Sequence, residues 1–190
     1  MRVVGIDPGT RLAGYGIVDS QNRNIKGVCA GAWKLGVEGA PLAARLALLL
    51  VEFRRLLDVY EPTHLSLELA FVGANVRSAL FLGHARGVIL AEAHLRGLMI
   101  HEISATAVKK AIVSNGRADK STLAEVLSRL LGVSFQGLPL DASDALGIAY
   151  AGAIHGTGLG VGSTLPKSLK KPKKTSFESF ITQKLEQRNR

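Results

Sequence analysis

A single cysteine, Cys29, leaves this 190-residue chain without an internal disulfide. No apolar run approaches the ~18 residues of a membrane span, which argues against a membrane protein. Nor does the N-terminus read as a signal peptide, because Asp7 and the turn-forming Pro8-Gly9 interrupt its first apolar run. A soluble, cytoplasmic protein is expected. There is no internal repeat, and 190 residues with 47% hydrophobic content suit one domain with a proper core better than two. No His or Cys grouping has the spacing of a zinc site.

Basic residues, by contrast, are in excess. The chain holds 24 Lys or Arg against 15 Asp or Glu, a net +9, which points to an anionic partner and first of all to nucleic acid. Residues 157–190 carry 8 of the basic residues against 2 Glu, so two thirds of the net charge lies there. The stretch GTGLGVGSTLPKSLKKPKKTS has no apolar period and reads as a flexible basic tail. Beyond it, Phe177, Phe180, Ile181 and Leu185 fall at helical spacing, compatible with a short amphipathic helix or a frayed terminus. The boundaries expected are a folded domain over 1–156 and the tail over 157–190.

Within the domain, RVVGI, GYGIVDS and the run from Ile25 to Leu35 read as three strands of an antiparallel meander, with DPGT and SQNRN as turns. Leu42, Leu46, Leu49, Leu50, Phe53, Leu57 and Tyr60 follow the helical period, with Pro41 in the first turn and Pro62 as the stop. HLSLE (His64–Glu68) reads as a short buried strand, 75–97 as a helix and Met99–Ile103 as a further strand. Helices over 106–113, 120–131 and from Asp141 to about Ile154 complete the domain. A meander followed by alternating helices and short strands predicts an α/β fold, a mixed sheet with helices on both faces.

Four acids stand where an unpaired charge is costly. Asp7 ends the first strand, Glu68 ends the fourth, and Asp141 and Asp144 open the last helix in PLDASDALGIAYA. The last two share a helical face with Ala145 and Ile148. Each has a plain alternative: Asp141 a first-turn or N-cap acid, Asp7 a turn-bonding residue before Pro-Gly, Glu68 an exposed edge charge. If the first and fourth strands are neighbours and the last helix packs on them, the carboxylates converge. Such a cluster calls for divalent cations, and oxygen-only ligands suit Mg²⁺ or Mn²⁺. Two such ions suit phosphodiester hydrolysis.

The segments IDPGTRLAGYG, LELAFVGANVRSALFLGHARGV, VKKAIVSNGRADKS and DASDALGIAYA, in that order, resemble the RuvC family of Holliday-junction resolvases over residues 2–155. The resemblance implies a ribonuclease-H-like five-stranded sheet and a homodimer that nicks two opposing strands of a four-way DNA junction. By position it places the catalytic, metal-holding acids at Asp7, Glu68, Asp141 and Asp144, with two Mg²⁺ per subunit. It implies that Phe71 stacks on bases near the junction centre and that Lys109 and Lys120 contact DNA near the scissile phosphate. The plain alternatives are a core Phe and a solvated helix face. Lys110, Arg77 and Arg117 lie close enough in sequence to be further phosphate contacts. The partners implied are the junction, a second copy, docked through the helix over 75–97, and the RuvA and RuvB branch-migration complex. Leu69 follows Glu68 where many relatives carry Gln, so contacts near the junction centre are expected to differ.

Two other readings compete. DPGTRLAGYG also resembles the first phosphate loop of actin-like and sugar-kinase ATPases, although those need two copies of the fold. GRADKST is refused as a P-loop, since Asp119 stands where a glycine belongs. An RNA-directed nuclease of the same fold stays open, because acids alone do not distinguish DNA from RNA. Under the nuclease reading, Gly9, Gly14 and Gly16 are expected to let a DNA backbone approach the metals.

Overall fold

The computed structural model describes residues 1–156 except 10, 23, 70–75 and 114–118. The basic tail, the helical pattern at Phe177–Leu185 and Phe71 therefore lie outside the described residues. Strands β1 (Arg2–Asp7), β2 (Leu12–Gln21), β3 (Asn24–Lys34), β4 (His64–Glu68) and β5 (Met99–Ile103) form one sheet in the order β3-β2-β1-β4-β5. The meander pairs antiparallel, whereas β4 joins β1, and β5 joins β4, in parallel. Among the described residues the helices are α1 (Leu42–Tyr60), α2 (Val76–Leu95), α3 (Ala105–Val113), α4 (Lys120–Leu131) and α5 (Leu140–Gly156). None of the described helices is long and apolar enough to cross a membrane.

Both faces of the sheet are covered, as expected of a mixed sheet with helices on both sides. Val4, Ile6, Leu65 and Leu67 meet Leu49, Phe53 and Leu57 of α1 and Ala85, Ile89 and Ala93 of α2. On the opposite face Val3 and Val18 meet Leu146, Ala149 and Ala153 of α5, with Ile112 of α3 and Leu127 of α4. This two-sided burial is why β1 reads as an unbroken apolar run rather than an alternating one. α1 stops where Glu61 turns left-handed at φ 46° and its N–H donates to Leu57 O at 2.9 Å, just before Pro62. Pro41 precedes the helix as its cap instead of occupying the first turn. Asp119 caps α4, its carboxylate accepting from Thr122 N–H at 2.8 Å. That bond holds its pKa below the usual carboxylate range and explains the acid in GRADKST.

α5 lies nearly in backbone contact with the sheet, and glycines make room for it. A methyl at Gly14 would sit 2.0 Å from Asp141 O, one at Gly16 2.6 Å from Leu146 Cα, and one at Gly5 2.3 Å from Ala145 O. Gly152 at the other end of α5 abuts Ser66, whose hydroxyl donates to Ile148 O at 2.8 Å. The expectation that Gly14 and Gly16 admit a DNA backbone is thereby corrected, because the space over them is filled by α5. Gly9 answers a different need: a side chain there would collide with Leu12 O in the turn into β2.

The opposite layer carries a buried ion network. Glu92 of α2 is 4% exposed and accepts from Arg54 of α1 at 2.8 Å and from Arg96 at 3.0 Å. The Arg54 hydrogen bond, more than any other contact, holds its pKa below the ordinary 4.5. Stability from this group is therefore fully present above about pH 4.5 and is lost as pH falls through the lower native value. Glu92→Gln should cost about 2 kcal/mol at pH 7. Urea titrations of both proteins should show that difference constant above pH 5 and shrinking below pH 4, each bound being approximate; a pH-independent difference would exclude the ionic origin.

Candidate active site

β1 and β4 run parallel as direct neighbours, with Ile6 paired to Leu67, so Asp7 and Glu68 end the two strands side by side. Alternation puts both on the face that carries α5: Asp7 continues Val3 and Gly5, and Glu68 continues Ser66. The ends of adjacent parallel strands are where α/β sheets gather their sites. α5 runs antiparallel to β1, its first turn over Gly14 and its far end beside Met1. Its N-terminus, with Asp141 in the first turn and Asp144 one turn on, therefore sits at the same end of the sheet. Gly14 is the β2 partner of Asp7, which sets the Asp141 backbone directly beyond the Asp7 rung.

Two cavities open here and share Glu68 as a wall. The larger, about 310 Å³, is lined by Asp7, Glu68, Leu69, Arg86 of α2 and Ser104 at the start of α3. The smaller, about 170 Å³, is lined by Glu68, Asp144, Lys109 and apolar residues of α3, α4 and α5. Thus Asp7 meets Glu68 in one cavity and Glu68 meets Asp144 in the other, all of them half-buried. Asp141, also half-buried, lines neither cavity. Among the described residues, no three His, Cys, Asp or Glu side chains gather closely enough to enclose one ion.

The donor set nevertheless fits a hard cation. It is all oxygen, and Mg²⁺ is commonly held by one or two carboxylates with water and substrate phosphate completing its shell, instead of by an all-protein cage. Lys109 is half-buried on α3 and is one of the residues lining the Glu68–Asp144 cavity. Lys120 begins α4, but its side chain lies outside the described residues. Arg77 is the second residue of α2 and Arg117 lies in 114–118, and their side chains fall outside the described residues as well.

One residue at this end was not anticipated. Arg86 stands in FLGHARGVIL, a mostly apolar stretch, and its spacing from Leu82, Ile89 and Ala93 puts a charge on the inward face of α2. That inward position was the available signal, and it marks a cation that needs a partner inside the fold.

Comparison with known proteins agrees with this architecture. The family profile described as "Crossover junction endodeoxyribonuclease RuvC" matches residues 3–152. A crossover junction endodeoxyribonuclease RuvC of Polynucleobacter asymbioticus is 38% identical over 169 residues, covering 89% of this chain and 94% of that relative. One from Thiobacillus denitrificans is 38% identical over 170 residues, covering 90% and 97%. The solved Thermus thermophilus RuvC superposes with a TM-score of 0.72 at 25% identity, covering 83% of this chain and 97% of that one. The same protein solved with a Holliday junction substrate gives 0.72 at 23% identity, a likeness of fold. With a family profile that spans residues 3–152 and relatives matched over nearly their full length, the chain belongs to the RuvC family of crossover junction endodeoxyribonucleases.

Proposed function

We propose that this protein is a structure-specific endodeoxyribonuclease that resolves four-way DNA junctions by paired, symmetric, Mg²⁺-dependent nicks. The observation that carries the reading is the side-by-side ending of β1 and β4 in Asp7 and Glu68 beneath the acidic start of α5, in a chain of this family. Asp7, Glu68, Asp141 and Asp144 are the residues that would hold the cation, two ions per subunit being the expected count. When bound, Mg²⁺ polarises the scissile phosphate and makes water a stronger nucleophile at neutral pH. Lys109 adds a fixed positive charge where the phosphate gains negative charge, and Lys120 and Phe71 are assigned to the backbone and to a base near the junction centre. The N-terminus of α5 lies at this end of the sheet, where its partial positive charge would favour phosphate.

A homodimer follows from the substrate's two-fold symmetry, since paired nicks need two equivalent sites. The exposed side of α2 is the surface assigned to it, where Ala79, Leu80, Gly83, Gly87 and Val88 line an open apolar groove with Leu46 of α1. Small residues one turn apart permit a second helix to lie close. The net +6 of residues 157–190 is proposed as a basic tail that adds phosphate attraction without sequence choice. RuvA and RuvB are the branch-migration partners expected from the family.

Incubation of the protein with a synthetic four-way junction, a plain duplex and an RNA/DNA hybrid, with and without Mg²⁺, tests this reading. Paired nicks confined to the junction and dependent on the metal are expected. Equal cutting of the hybrid would favour the RNA-directed alternative, and nucleotide hydrolysis in place of nicking would overturn the assignment.

A further inference from the structure

Arg86 is 9% exposed, the only buried basic side chain among the described residues. Its Nη1–H donates to the main-chain carbonyl of Glu68, and its Nη2–H to Oε2 of Glu102 on β5. Holding that carbonyl fixes the peptide plane that follows Glu68. The next amide, Leu69 N–H, is itself held by Ile103 O at 2.8 Å. The backbone at Glu68 is thus clamped from α2 on one side and from β5 on the other, which fixes the Cα–Cβ bond from which its side chain leaves. Arg86 also lines the cavity it shares with Asp7 and Glu68. Glu102 is 40% exposed on its side chain against 11% for Arg86, so the acid anchors the guanidinium from the rim while the cation lies inside.

We infer that Arg86, held by Glu102, is a positioning residue for Glu68. It sets where the Glu68 carboxylate stands, and its charge lowers the electrostatic cost of keeping Asp7 and Glu68 together before any cation arrives. A guanidinium suits both tasks, because its planar fork reaches a carbonyl and a carboxylate at once; an ammonium has no such geometry. The inference rests on the reading of Asp7 and Glu68 as metal-holding acids. A strut that merely joined α2 to the sheet would be expected to affect stability alone.

The test uses full-length Arg86→Gln, Arg86→Lys and Glu102→Gln, each compared with the unaltered protein for junction nicking and for thermal unfolding across a Mg²⁺ titration. Arg86→Gln is expected to lower kcat about 30-fold with KM for the junction within about threefold, and to raise half-saturating Mg²⁺ about tenfold. The unfolding titration, which needs no turnover, should show the same roughly tenfold shift in the Mg²⁺ that raises Tm. Arg86→Lys should fall between, and Glu102→Gln should shift the metal requirement about threefold. If Arg86→Gln does not fold, the other two variants are read by the same criteria. Mg²⁺ half-saturation unchanged in the folded variants, with activity following only the folded fraction, overturns the inference. Wild-type nicking by Asp7→Asn would instead overturn the site itself, so the two failures are distinguishable.

Discussion

Asp7→Asn is expected to lower Mg²⁺-dependent nicking of a four-way junction by about 10³-fold, while junction affinity measured in EDTA should stay equal or rise slightly. The substitution is nearly isosteric at the end of β1, so the pairing of Asp7 with Gly14 and the packing of α5 are left in place. What changes is charge: a carboxylate proposed to hold Mg²⁺ becomes a neutral amide, and a loss of about 4 kcal/mol of transition-state stabilisation corresponds to that factor. Binding is expected to move the other way, because one negative charge is removed from the path of a polyanion. Single-turnover nicking with labelled junction, paired with gel-shift titration in EDTA, separates the two. Parallel loss of binding and cleavage would make Asp7 a folding residue, and nicking within about tenfold of wild type would remove it from the metal site.

The second large effect is on stability. Gly5→Ala places a methyl 2.3 Å from Ala145 O and 2.4 Å from Ala149 N, and both are backbone atoms of α5 that no rotamer change can move aside. The helix must lift from the sheet, which opens the layer formed by Val3, Val18, Leu146 and Ala149. A cost of about 3 kcal/mol is expected, and a Tm lower by roughly 6–12 °C for a chain of this size. Thermal unfolding followed by circular dichroism checks it; a Tm within about 2 °C of wild type would mean that α5 does not sit this close. Because the same helix carries Asp141 and Asp144, residual activity in the folded fraction should fall as well.

Much of the fold was legible from spacing alone. The 3–4 recurrence from Leu42 to Tyr60 marks α1, and the short apolar run HLSLE, bounded by Pro62 and by glycine-containing sequence, marks β4 with both ends in register. Each of these signals is local, set by which side of one element must leave water. The acids were legible in the same way, as charges at the ends of elements whose other residues are apolar. The glycines were legible as places of close approach but not as to what approaches: Gly14 and Gly16 meet α5, more than a hundred residues away in sequence.

By itself, then, the sequence determined the kinds and order of the elements with their limits to within about two residues, the basic balance, and that Asp7, Glu68, Asp141 and Asp144 stand at element ends. These follow from backbone hydrogen bonding and side-chain hydrophobicity over a few neighbouring residues. Tertiary structure alone decided that β1 lies against β4 in parallel, which brings Asp7 beside Glu68, and that α5 runs back over them with its acidic end first. It alone paired Arg86 with the Glu68 carbonyl and Glu102. Sheet order and helix direction depend on how two faces of one sheet are both covered, a property of the packed whole that no local period encodes.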